Sequence, residues 1–312
     1  MSSLPTLSVI LATWRREESL RLVLSDLAKQ VGVIAEVVVI DQNQPPTDEA
    51  AFAEFLRSPH RLTILPHAPG VVASRNDGVK IASGEILVFI DDDVRIDHPS
   101  YLEIVARNFI DPSIDAICGQ ELSPPDYRPS SDAQGTFADA FEEACFFYRA
   151  TTQRREVFHL ATCNCAIRRS AWDKMGGLDP IFAGNSYGDD YDLTLRMRAA
   201  GMKIVFEPET SVRHTRATRG GLRLDDPCNP WSEADRYVSL WVFYLRHVPP
   251  KWRRWYLRDA ILGKSLLLRR NFTRPWRWPS VLAGLLIAYR RARRTALTPH
   301  LLRSDDHDVA GV

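Results

Sequence analysis

The sequence predicts an α/β protein built on a doubly wound, mainly parallel sheet. Three observations lead there. Buried apolar runs at residues 7–11, 36–41 and 86–90 are separated by segments long enough for helices, the alternation that parallel sheets require. Two of these runs end in acids, at Asp41 and at Asp91-Asp92-Asp93. Ligands of open α/β sheets bind at the carboxyl edge of the strands.

Taken in order, residues 7–11 (LSVIL) form the first strand, followed by a turn and a helix over 17–30. Residues 36–41 (EVVVID) make the second strand. A polar, proline-containing loop at 42–47 leads to a helix reaching Arg57, and 61–65 form a short third strand. Residues 72–83 fit a helix stopped by Gly84 just past its end, where glycine is favoured. The run 86–90 (ILVFI) then carries the chain to three adjacent carboxylates. A helix over 100–109 and a strand over 116–121 follow. Regularity breaks at 123–131, which is rich in Pro, Ser and Asp. It returns at 162–167, and Gly176-Gly177-Leu178-Asp179 is a turn. Residues 190–200 read as a helix closed by Gly201, and 203–207 as a strand with His214 just past it.

At 312 residues, with 45% hydrophobic and 25% charged side chains, the chain has the composition of a globular protein with a sizeable core. Its net charge of +1 conceals an asymmetry. Residues 251–294 hold thirteen Lys or Arg against Asp259 alone, a net +12, which leaves −11 for the rest. Nucleic acid is therefore not an expected partner of the main body. The five scattered cysteines fit a reduced, cytoplasmic protein better than a disulfide framework. Cys163 and Cys165 have the wrong spacing for a zinc knuckle and read as small packing residues. Residues 1–11 lack a charged leader and a long apolar core, so no signal peptide is expected. The apolar run at 281–289 is far short of the roughly 20 residues of a spanning helix.

Three adjacent carboxylates repel one another, and Asp91-Asp92-Asp93 makes most sense beside a hard cation such as Mg²⁺ or Mn²⁺. An acidic turn is the competing reading of the triplet alone. Asp189 and Asp190 begin a helix, where acids are also ordinary capping residues. Asp192 and Arg196 are spaced as an i,i+4 ion pair.

The order of these motifs resembles a family 2 inverting glycosyltransferase of the GT-A fold. The residues that carry the resemblance are LSVILAT with Thr13, VVVID ending in Asp41, and Ala73-Ser74-Arg75-Asn76-Asp77-Gly78. They continue with Ala82-Ser83-Gly84-Glu85 leading into FIDDD, Asn164-Cys165-Ala166-Ile167-Arg168-Arg169, Gly176-Gly177-Leu178-Asp179 and Gly188-Asp189-Asp190-Tyr191-Asp192. The resemblance covers residues 7–214. It implies a nucleotide-sugar donor held by Thr13, Asp41, Arg75, Asp91 and Asp92, with Asp41 on the base and Asp92 on the ribose. It implies Asp93 as ligand of a Mn²⁺ or Mg²⁺ ion on the diphosphate, with His214 as a second candidate ligand. Asp190 matches the base that takes the acceptor's proton, with Asp189 supporting it, and the resemblance implies a glycan or lipid-linked acceptor. Arg15 stands where the family usually has Asn, and Gln42-Asn43-Gln44-Pro45-Pro46 replaces a short Ser-containing turn.

The organisation is thus a glycosyltransferase domain over 1–225 and an aromatic, basic helical extension over 226–312. The extension's Trp and Arg content without acids suits peripheral contact with an anionic membrane surface. A basic helical cap packed on the domain accounts for the same composition. Two other functions use similar parts. A sugar-phosphate nucleotidyltransferase would carry a Gly-rich loop after the first strand, where residues 12–17 have no glycine. A catalytically silent relative would lack acids that this chain retains.

Overall fold

A computed structural model describes residues 3–125, 127–129, 137–182, 186–217, 219–222 and 232–295. One nine-stranded sheet organises them, in the order β3-β2-β1-β4-β8-β6-β9-β5 with β7 also on β9. The strands are β1 (Leu7–Thr13), β2 (Ala35–Asp41), β3 (Arg61–Pro66), β4 (Ile86–Ile90), β5 (Val94–Arg95), β6 (Ala116–Leu122), β7 (Arg155–Glu156), β8 (Asn164–Arg168) and β9 (Ile204–His214). From β3 to β4 every pairing is parallel. Beyond β4 the sheet is mixed, because β8 runs antiparallel to both β4 and β6 while β6 and β9 are parallel.

The two faces follow from the period of two along a strand. Leu7, Val9 and Leu11 of β1, Val37 and Val39 of β2, and Ile86, Val88 and Ile90 of β4 form one core with α1 (Glu17–Ala28) and α3 (Tyr101–Asn108). The alternate residues Ile10, Val38, Ile40, Leu87 and Phe89 form the other. That second core takes in α2 (Val71–Ile81), α4 (Ala140–Phe146), α5 (Arg169–Met175) and α6 (Asp189–Ala199). Each fully buried Leu, Ile or Phe adds roughly 1.5–3 kcal/mol of transfer free energy.

Several sequence expectations change. The helix expected to reach Arg57 is two short 3₁₀ turns, Glu49–Phe52 and Phe55–Arg57. Helix α2 ends at Ile81, and Ala82 is already extended at φ −69° and ψ 143°, so Gly84 does not terminate it. Gly84 serves a close approach instead, since a Cβ there would meet the Ser8 backbone nitrogen at 2.6 Å. Strand β9 runs on to His214, which belongs to the sheet and pairs with Val94. Helices α4 and α5 lie where the sequence showed no clear pattern.

The C-terminal extension is helical, with α7 (Glu233–His247), the short α8 (Arg253–Trp255) continuing as a π-helix over Tyr256–Leu262, α9 (Arg269–Phe272) and α10 (Trp278–Thr295). Its Tyr237, Leu240, Phe243, Tyr256, Val281 and Leu285 join the same core as α2 and α6. The expected boundary at residue 225 lies outside the described residues. No described helix is long and apolar enough to cross a membrane.

Asp192 pins this extension. Its carboxylate is fully buried and meets Arg196 Nε at 2.8 Å, the expected i,i+4 partner. It also meets Arg246 at 3.2 Å and His247 at 2.7 Å, both from α7. Burial alone would raise its pKa, but His247, Arg196 and Arg246 hold it well below the carboxylate range. Asp192→Ala leaves Arg196, Arg246 and His247 without their shared buried carboxylate and should cost about 3–5 kcal/mol, read as a lower urea midpoint. Because the folded pKa is depressed, the anchor is complete above the ordinary Asp value of about 4. It is lost as pH falls further, so acid unfolding of the wild type should begin with α7 and the variant should lose that pH dependence.

Candidate active site

Pairing register assembles the site at the carboxyl edge of β1, β2 and β4. Thr13 sits beside Asp41, and Phe89 pairs with Ile10, so the Asp91-Asp92-Asp93 triplet leaves the sheet next to Thr13. The Thr13 hydroxyl donates to Asp92 at 2.8 Å. Arg16, from the turn after β1, donates to the other Asp92 oxygen at 2.8 Å and lies 3.2 Å from Asp93. Its remaining nitrogens hold the carbonyls of Arg219 and Gly220, both at 3.2 Å. Burial pushes the Asp92 carboxyl up to about 6 against the pull of Arg16 and Thr13.

Asp93 faces His214, whose Nε2 is 3.1 Å from one carboxylate oxygen. The other oxygen accepts the Ala217 N–H at 3.0 Å. The second ring nitrogen of His214 is 3.0 Å from Glu121. An imidazole between two carboxylates donates from both nitrogens. Burial opposes the charged ring, but Asp93, Cys163 and Glu121 raise its pKa to about 12. Burial likewise works against charged Asp93 and Glu121. His214 and Arg16 nonetheless hold Asp93 below the usual range, and His214, Arg149 and Arg216 hold Glu121 well below it. Arg149 reaches Glu121 at 2.6 Å. The Cys163 thiol joins the same carboxylate at 3.4 Å, so this residue does more than pack.

Glu121 points here because the β6–β9 register shifts between Gly119 and Glu121, a bulge of the kind that re-aims side chains. The Asn164 amide donates to the carbonyls of Gln120 and Thr210, both at 2.8 Å, and stabilises that irregularity. Its own oxygen accepts the buried Tyr101 hydroxyl at 2.7 Å.

The second acidic pair begins α6. Gly188, at φ +88°, is the N-cap, and no side chain makes the capping bond, so Asp189 and Asp190 are not a capping pair. Arg75, from α2, donates to Asp91 at 2.8 Å and lies 3.7 Å from Asp189, joining the triplet to this pair. Asp189 is buried, with one carboxylate oxygen lacking a hydrogen bond. Asp190 is half-buried. Burial raises the pKa of both. Asp190 raises Asp189 further, while Arg149 and Arg75 pull Asp190 back. A carboxylate that is both accessible and more basic than usual is suited to accepting a proton, and within this pair that residue is Asp190.

Two cavities lead into the site. One of about 760 Å³ is walled by Trp14, Arg15, Gln42, Asn43, Pro45 and Thr47. A smaller one of about 170 Å³ shares Trp14 and Gln42 and reaches Arg16, Arg75, Asp91 and Asp92. Asp41 shapes the larger cavity indirectly. It accepts the Thr47 N–H at 2.7 Å and the Asn43 side chain at 2.8 Å, along with the Asn43 N–H and Thr47 hydroxyl. Its carboxylate thus folds the 42–47 loop.

Of the predicted residues, Thr13, Asp92, Asp93 and His214 converge, and Arg75 brings Asp91 to Asp189 and Asp190. Sequence reasoning missed Arg16, Glu121 and Arg149. Glu121 carried a usable signal, since it ends an expected strand in an acid as Asp41 does. Arg16 and Arg149 carried none, because neither position distinguishes a buried counter-ion from a surface arginine.

Asp91, Asp93 and His214 present three ligand atoms within 4.8 Å of one another, as do Glu121, Cys163 and His214. Carboxylate oxygens suit Mn²⁺ or Mg²⁺, so Asp91 and Asp93 of the first set fit the expected ion, and His214 can join them only by giving up the Nε2 proton that it now directs at Asp93. Comparison with known proteins identifies the family and the fold. The chain is 24% identical to the O-antigen chain rhamnosyltransferase WbaN of Salmonella anatum, over 72% of its own length and 76% of that protein. In two longer relatives, from Sinorhizobium fredii and Myxococcus xanthus, it spans 30% and 17% of their length. Its fold matches S. aureus TarS in complex with UDP-GlcNAc, with a TM-score of 0.59 at 18% identity, covering 93% of this chain and 83% of that one. It also matches the mannosyltransferase PcManGT of Pyrobaculum calidifontis in complex with GDP-Man and Mn²⁺, with a TM-score of 0.54 at 18% identity, covering 96% and 79%. Residues 5–225 match the family described as Glycosyltransferase like family 2, and the chain belongs to that family.

Proposed function

We propose that this glycosyltransferase is metal-dependent and inverting, and that it moves a sugar from a nucleoside-diphosphate donor to a hydroxyl of a glycan or lipid-linked acceptor. The observation that carries this reading is the pair Asp93 and His214, 3.1 Å apart. They lie in one cluster with Asp91, and Asp91 is linked through Arg75 to the pair that includes Asp190. The donor's base and ribose fit the two cavities that meet at Trp14 and Gln42. Asp92, Arg16 and Arg75 line the inner end. Asp93, with Asp91 beside it and His214 once its Nε2 proton is displaced, would hold a Mn²⁺ or Mg²⁺ ion, which when bound offsets the charge on the departing diphosphate.

The remaining steps belong to the chain's own groups. Asp190 removes the proton from the acceptor hydroxyl as that oxygen attacks the anomeric carbon. Burial keeps Asp190 basic against the pull of Arg149 and Arg75. Arg75 holds Asp91 and Asp189 in place and prevents the two acidic groups from spreading apart. Glu121 orients His214 through the second ring nitrogen, as outer carboxylates do for metal-bound histidines. The relative named as an O-antigen chain rhamnosyltransferase supports an acceptor within a polysaccharide. The scattered cysteines, four of them free among the described residues, support a cytoplasmic enzyme, and a lipid-linked acceptor would place it at the inner face of a membrane.

Asp93→Asn should abolish the Mn²⁺-dependent rise in melting temperature given by a nucleotide-sugar, a shift that reports binding to the native state alone. Asp190→Asn should keep that shift and lose turnover by roughly 10²–10⁴-fold, the usual worth of a general base. Retained turnover in both variants would falsify the assignment. Because Asp190 must be ionised and its pKa is raised, kcat/KM should climb with pH through a limb above the ordinary carboxylate value of about 4. The residual activity of Asp190→Asn should lack that limb. Glu121→Gln should weaken Mn²⁺ binding on the order of 10–100-fold, followed by electron paramagnetic resonance with a melting curve to confirm folding. Unchanged affinity in the folded variant would remove Glu121 from this role.

A further inference from the structure

Half of the large apolar side chains left exposed among the described residues lie in residues 262–287, a twelfth of the chain. Phe272 is 59% exposed and Trp276 73%. Helix α10 shows why these side chains are not simply core residues left over. Its Val281, Gly284, Leu285, Ala288 and Ala292 form one buried stripe, and the helix packs on α7. The opposite face carries Leu282, Leu286 and Ile287, followed by the exposed Arg290, Arg293 and Arg294. Helix α9 contacts the Pro275–Arg277 turn, which contacts α10, so these residues make one continuous surface with Trp276 at its turn. Exposed Arg269 and Arg274 flank it. The only acid in residues 251–295 is Asp259.

Such a surface has two requirements at once. Its apolar side chains need to leave water, and its arginines need anions that stay hydrated nearby. Exposed apolar patches of this density mark interaction sites. An anionic bilayer meets both needs within a few ångströms of depth, since tryptophan and arginine settle at the headgroup level while leucines reach the acyl boundary. A nucleic acid would satisfy the arginines but leave the leucines and Ile287 in water.

We infer that the outer surface of α9, the Pro275–Arg277 turn and the outward face of α10 form a seat on an anionic lipid bilayer. Trp276, Leu282 and Leu286 enter the interface, and Arg269, Arg274, Arg290 and Arg294 meet acidic headgroups. The buried stripe of α10 takes no part, because α7 already covers it. This deepens the membrane-side reading above and rests on it only for its purpose. Vesicle binding is measured without donor, metal or acceptor, so either reading can fail alone.

The full chain should sediment with vesicles of phosphatidylcholine containing phosphatidylglycerol. Binding should weaken with added salt and with vesicles of phosphatidylcholine alone. Trp276→Ala with Leu286→Ala should reduce partitioning on the order of tenfold or more, given what burial of such side chains contributes. Arg290→Ala with Arg294→Ala should reduce it about tenfold on the anionic vesicles only. All four positions are exposed, so melting temperatures and donor-induced shifts should stay at wild-type values. Equal binding to both vesicle types, no binding, wild-type binding by both double variants, or sedimentation without lipid through self-association would each overturn the inference.

Discussion

Crowding of negative charge at one sheet edge is the constraint around which this molecule is built. Asp91, Asp92, Asp93, Glu121, Asp189 and Asp190 are all buried or half-buried there. Each carboxylate taken from water costs several kcal/mol unless paired, and neighbours of like sign add to that cost. Five cations offset it. Arg16 spans Asp92 and Asp93, Arg75 spans Asp91 and Asp189, Arg149 and Arg216 meet Glu121, and His214 lies between Asp93 and Glu121. These cations come from the turn after β1, from α2, from the segment before β7 and from the end of β9 and just beyond it. The acids are tolerable only when all of those elements are in place, so the electrostatics of the site also specify the fold.

Several residues of the family motifs act on backbone groups and not on substrate. Asn76 exchanges hydrogen bonds with Leu178 in both directions, at 2.8 and 3.1 Å, and ties α2 to the Gly177 turn. A Cβ on Gly177 would crowd the Asn76 oxygen at 3.0 Å. Arg169 donates to the carbonyls of Ala82 and Gly84, both at 2.8 Å, and to Val79 at 3.4 Å, satisfying the end of α2. Asn164 does the same for the β6–β9 bulge. These side chains place Arg75, Asp189 and Glu121, so their recurrence in a motif reflects the accuracy the acidic edge demands.

The C-terminal extension completes the second core and supports the first turn of α6. A Cβ on Gly188 would meet the Phe243 ring of α7 at 2.9 Å, so the helix carrying Asp190 starts against the extension. Arg246 adds a 2.7 Å bond to Asp179 beyond its contact with Asp192. One face of the extension is therefore part of the catalytic scaffold, while its other face keeps exposed aromatics and arginines.

By itself, the sequence determined the α/β class, the edge at which chemistry occurs and most of the acids involved. Buried strands, helix periods and terminal acids are local patterns, and local patterns survive being read one segment at a time. It also exposed the basic, aromatic character of the last 60 or so residues, since composition needs no geometry. Only the tertiary structure decided which cation answers which acid. Arg16 and Asp93, or His214 and Glu121, are 77 and 93 residues apart, and nothing local marks them as partners. Long-range packing likewise moved Gly84 from a helix end to a strand crossing and divided α10 into a buried and an open face. In each case the deciding quantity was the proximity of another element, which the order of residues does not contain.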